Sequence, residues 1–135
     1  MRAQIAPLIA EPLEGQDWRE RLDRMLDRRA QIYERLTPYK VADDAHRAGS
    51  KILQSQHAQM VATQRKILNA ILPADFRGAP GADAIDLAAS FEAWLRLRRD
   101  QGLSVKRARA VVGALVAGVA GSAHANGKRA ANHND

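Results

Sequence analysis

His57 and Gln64 are polar side chains on a helical ridge otherwise made of Leu53, Met60, Ile67 and Ile71, and they are the first place to look for chemistry. A polar group carried into a core without a partner costs about 1 to 3 kcal/mol, so the pair either finds partners as core or edge residues or lines a wet cavity. A mostly apolar cavity with a few polar groups is the usual form of a small-molecule site. The candidate ligand-binding residues are therefore Tyr33, His57, Met60, Gln64, Phe91 and Trp94. Other chemistry is hard to find. No nucleophile elbow, H-E-x-x-H pair or glycine-rich phosphate loop occurs. None of His46, His57, His124 and His133 lies three or four residues from another, as a helical metal site would require. Asp23 and Asp27 read as part of a wet helix face rather than as catalytic carboxylates. The expectation is no enzyme, no metal and no cofactor.

The elements that must position these residues are helical. Asp17 with Glu20 resembles a capping box and opens a long helix. Its stripe runs through Trp18, Leu22, Met25, Leu26, Arg29, Ile32, Tyr33 and Leu36. Pro38 ends or kinks this helix, and helix resumes from Tyr39 to Ala48. Ser50 caps the next helix, which runs to about Leu72 ahead of Pro73. Pro73 to Ala82 reads as the one clear loop, and Asp83 as the cap of a helix from Ala84 to Gln101 that buries Leu87, Ala88, Phe91, Trp94 and Leu95. Gly102 ends that helix and Ser104 caps the last, making an αα-hairpin.

The hairpin's second helix carries Val105, Ala108, Val112, Leu115 and Val119 at alternating spacings of three and four, a narrow apolar seam. Ala110, Ala114 and Gly118 form one ridge of small residues, and Gly113, Ala117 and Gly121 another, allowing a second backbone to approach. The candidate dimer interface is Val105, Ala108, Val112, Gly113, Leu115, Ala117 and Val119. Basic residues crowd the turn: Arg96, Arg98, Arg99, Lys106, Arg107 and Arg109 face only Asp100. With no aromatic residue interleaved for base stacking, they read first as a solvated rim.

Composition sets the outer bounds. The 135 residues carry a net charge of +6 and no cysteine, which removes disulfides and thiolate chemistry and fits a cytoplasmic protein. Abundant Ala and Leu with few β-branched runs favour an all-α fold, an antiparallel bundle of about four to five helices. No stretch approaches the roughly 18 apolar residues of a membrane span, so no membrane partner is expected. The chain divides into a lead-in segment 1–16, a helical domain 17–120 and a tail 121–135, where small and polar residues without periodicity predict disorder.

Together, S-F-E-A-W-L-R-L-R-R-D-Q-G-L (Ser90 to Leu103) and R-R-A-Q-I-Y-E-R-L-T-P-Y (Arg28 to Tyr39) resemble the C-terminal regulatory domain of a TetR-like transcriptional regulator. The resemblance implies a helical domain that homodimerises through its last two long helices and holds a small-molecule inducer. In that family a separate N-terminal helix-turn-helix domain reads DNA; none fits ahead of Asp17, so DNA is an expected partner only where such a domain is present in a full-length protein. A stand-alone helical protein–protein interaction module without a small ligand is the alternative, and a sealed interior between the Asp17 and Ser50 helices would favour it. Reading the hairpin itself as a helix-turn-helix is weaker, because Ala110 to Ala120 offers no hydrogen-bonding side chain to base edges.

Overall fold

A computed structural model describes residues 12–133, with the side chains of residues 43, 44 and 123–133 outside that description. The lead-in up to position 11 and the last two residues of the tail fall outside it too. The described chain is all helical: α1 (Trp18–Arg47), α2 (Lys51–Ile71), a 3-10 turn (Ala74–Phe76), α3 (Pro80–Ala88), α4 (Phe91–Leu95) continued by a π turn (Arg96–Asp100), and α5 (Val105–His133). No strand occurs among the described residues.

The start signals read from the sequence work as side-chain caps. Asp17 Oδ1 accepts from the Glu20 amide at 2.9 Å, and Glu20 reaches back to the Gln16 amide at 3.0 Å. Ser50 Oγ accepts from Leu53 N at 3.2 Å and Ser104 Oγ from Arg107 N at 3.1 Å. Gly102 takes φ +65°, the left-handed conformation a helix stop requires. Pro38 does not end α1, which runs through it; the Thr37 hydroxyl donates to Tyr33 O at 2.6 Å in the turn where the proline ring crowds the helix.

Two segments depart from the expected plan. The expected helix Ala84–Gln101 is split: Pro80 at the first helical position starts α3 early, Asp83 sits inside its first turn, and Ser90 caps a new helix. The split turns Leu87 outward, where it is 70% exposed instead of buried. The expected loop Pro73–Ala82 contains a core residue, since the 3-10 turn drives Phe76 inward against Trp18, with ring centroids 5.4 Å apart. Past Ala120 the α5 backbone stays helical to His133, where disorder was expected from position 121; Ala123, Ala125, Ala130 and Ala131 favour helix and no proline interrupts them.

One core joins the layers. Leu22, Met25, Leu26 and Tyr33 of α1 meet Leu68, Ile71 and Leu72 of α2, Ile85 of α3, Phe91 and Trp94 of α4, and Ala108, Val112, Val116 and Ala120 of α5. The α5 residues recur every fourth position, so up to Ser122 this helix buries a single ridge and leaves most of its circumference outside.

Candidate functional site

The break between α3 and α4 organises the polar interior. In a continuous helix the Ala93 amide would bond to Ala89 O, but here it bonds to Ser90 Oγ at 3.1 Å. The buried Ala89 carbonyl is taken by two α1 side chains: Tyr33 Oη donates to it at 2.7 Å and Arg29 Nη1 at 3.2 Å. Arg29 also donates from Nη2 to the Gln64 carbonyl of α2 at 2.9 Å and lies 3.9 Å from Asp86 of α3. Gln64 Nε2 donates to Tyr33 Oη at 2.8 Å. Arg29 is only 6% exposed, and its fork ties three helices at the break between α3 and α4.

These contacts decide the fate of the six pocket candidates. Tyr33, Phe91 and Trp94 are buried, and Phe91 packs edge-on to Tyr33 at 5.5 Å. Gln64 is a satisfied partner of Tyr33, and Met60 is half-buried towards the periphery. His57 stands apart from the set: its Nδ1 lies 2.7 Å from Arg47 Nη1 and 3.2 Å from Lys40 Nζ, and its Nε2 is 3.9 Å from Glu92. Lys and Arg only donate, so Nδ1 accepts and the ring proton sits on Nε2, facing the carboxylate. The interior space bordered by Tyr33, Trp94 and Ala89 is about 10 Å³, room for about one water molecule and far below a ligand site. The expected pocket is therefore a packed core, because α4 folds its two aromatic rings into the gap. Arg29, which the sequence placed on the apolar stripe, is the polar centre that periodicity passed over.

Burial pushes the Tyr33 phenol up to about 12, against smaller opposing effects of the Arg29 charge and the Gln64 hydrogen bond. Below pH 10 the phenol is protonated in both the folded and unfolded chain. As pH rises from about 10 to about 12 the unfolded chain loses this proton first, and stability falls by about 2 to 3 kcal/mol. Thermal melts at pH 9 and pH 11.5 are expected to show this loss in the wild type, with a smaller drop between the same pH values in Tyr33→Phe.

The hairpin is clasped to α1 by two arginines taken from the expected rim. Arg98 Nε donates to Glu34 Oε1 at 2.9 Å and its Nη1 to Leu103 O at 2.8 Å, while Trp94 Nε1 donates to the other Glu34 oxygen at 3.2 Å. Arg109 reaches Asp27 at 2.7 Å and Asp23 at 2.6 Å. Arg98 and Arg109 are thus structural ties and not part of a solvated rim.

The seven dimer candidates do not share one face. Ala108 and Val112 are buried in the chain's own core, so both leave the expected seam. Val105 and Leu115 are exposed at 42% and 53%; Ala117 is exposed, and Gly113 and Val119 are half-buried. A Cβ at Gly113 would meet Arg109 Nη1 at 2.8 Å, whereas one at Gly118 would meet nothing within 4 Å. Gly113, Ala117 and Gly121 form one wall of an open groove of about 310 Å³, with Leu22 and Leu26 of α1 on the other side and Arg19 and Asp23 among its lining residues. The spacing of small residues carried this groove in the sequence; its α1 wall did not show there.

Comparison with known protein families, characterised proteins and solved structures gives no match for this chain. No helix among the described residues is long and apolar enough to cross a membrane.

Proposed function

We propose that this chain is a helical association module that pairs with a second copy of itself through the outer face of α5. The observation that carries this is the composition of that face. From Ala110 to Ser122 the helix has no charged side chain, in a chain that is 27% charged overall. Ala110, Ala114, Leu115, Ala117, Gly118 and Gly121 are exposed along it. A surface helix normally places charge opposite its buried ridge, so an outer face without any is suited to a second apolar layer. A face that contacts its own symmetry mate closes as a two-fold dimer.

The resemblance to TetR-like regulators points to association through the same hairpin, as a dimerisation domain. An effector-sensing role would need an interior cavity of a few hundred Å³, and the filled space behind Tyr33 and Trp94 favours association without a small ligand.

Gly118→Leu is the discriminating variant. Its side chain has free space in the single chain and better helix propensity than glycine, so it is expected to keep or raise helix stability. At a helix–helix crossing it adds bulk where backbones must approach, and is expected to weaken pairing at least about tenfold, near 1.4 kcal/mol. Sedimentation equilibrium should return a mass twice the 14.8 kDa of the chain for wild type and a shift towards single chains for Gly118→Leu. A wild-type chain that stays single at high micromolar concentration would sink the reading.

A further inference from the structure

The turn between α4 and α5 sorts its basic residues by what they touch. Arg98 and Arg109 are spent on Glu34, Asp23 and Asp27. Arg96, Arg99, Lys106 and Arg107 are exposed and make no ion pair or side-chain hydrogen bond among the described residues. Asp100 is the only carboxylate in the same stretch. The frame beneath them is fixed: Gln101 N donates to Arg96 O and Leu103 N to Leu97 O, each at 3.0 Å, while Arg98 holds Leu103 O. Lys106 and Arg107 also stand in the first turn of α5, which has no acidic residue. The positive end of the helix dipole disfavours cations there, a cost that a bound anion reverses.

We propose that this tip binds the phosphate backbone of duplex nucleic acid without reading its sequence. Exposed arginine forks and a lysine match phosphate oxygens, and phosphate contacts supply affinity without base information. A protein partner would want a large apolar anchor at the centre of its contact, and the tip exposes only Val105, at 42%, beside four cations: Leu97 is buried and Leu103 half-buried. A single strand would want aromatic stacking platforms, and residues 96 to 107 contain no aromatic residue. A membrane surface would want an amphipathic helix with an apolar face, which the turn lacks. The proposal does not depend on association through α5.

Fluorescence anisotropy with a short labelled duplex, titrated from about 50 to about 200 mM salt, tests it. With four cations engaged, log K against log salt is expected to fall with a slope of about −3 to −4. Arg99→Glu with Lys106→Glu should lower affinity more than about tenfold and flatten the slope by about two. Arg24→Glu with Lys51→Glu changes net charge equally at exposed positions outside the turn and should cost far less. Circular dichroism is expected to find both variants folded. Equal losses in the two double variants would assign the binding to net charge and overturn the proposal. So would absence of binding at about 50 mM salt, a tenfold preference for a palindrome over its scrambled duplex, or a tip-dependent preference for polyglutamate or anionic vesicles over the duplex.

Discussion

Phe91→Ala is expected to destabilise the chain by about 3 to 5 kcal/mol, the cost of deleting a fully buried aromatic ring whose neighbours collapse only in part. Phe91 is 1% exposed at the first position of α4 and meets Tyr33 edge-on. Losing it removes the buried area and the ring pair together, at the point where α4 turns back over the core. Leu115→Ala is the matched contrast, because Leu115 is 53% exposed and its truncation should change the stability of the single chain by less than about 0.5 kcal/mol. Urea titration of both variants, at a concentration low enough to keep chains single, decides the matter. A loss below about 1 kcal/mol for Phe91→Ala would mean that the aromatic plug is loosely held and that the interior can open.

Arg29→Met should cost about 2 to 4 kcal/mol. Hydrogen bonds to a charged group contribute about 1.5 to 3 kcal/mol each, and Arg29 makes two to buried or part-buried carbonyls. Two remaining contacts and the new side chain limit the damage: Tyr33 still donates to Ala89 O, Arg65 still lies 3.6 Å from Asp86, and methionine refills part of the volume. Arg29→Lys should recover less than half of the loss, since one ammonium cannot reproduce a planar fork that spans carbonyls on two elements. Denaturant midpoints for the two variants measure this, and full recovery by lysine would show that charge alone, without the fork geometry, holds the α3–α4 break.

Local signals in the sequence were sufficient for the all-α class and for most helix starts. Asp17, Ser50 and Ser104 cap helices through bonds to amides within three residues, and Gly102 supplies its own positive φ. Such features need no distant partner, so they can be read from neighbours in the chain. Signals that compete locally were harder to rank. Asp83 reads locally as the cap of one long helix, yet the chain breaks at Ser90, where the carbonyl of Ala89 is held by Tyr33 and Arg29, some sixty residues away.

Periodicity by itself determined that α5 has a continuous apolar and small-residue surface, and that the turn before it is basic. Tertiary packing decided which part of each is used. Among the described side chains of α5, Ala108, Val112, Val116 and Ala120 are the buried ones, with Val111 and Val119 partly covered beside them, because α1 and the α3–α4 segment cover this one side of α5 and leave Leu115 outside. Arg98 and Arg109 become internal ties because Glu34, Asp23 and Asp27 stand opposite them on α1. Hydrophobic spacing tells which side chains share a face of one helix; it holds no information on which other helix, if any, covers that face, and that is settled only by long-range contacts between elements.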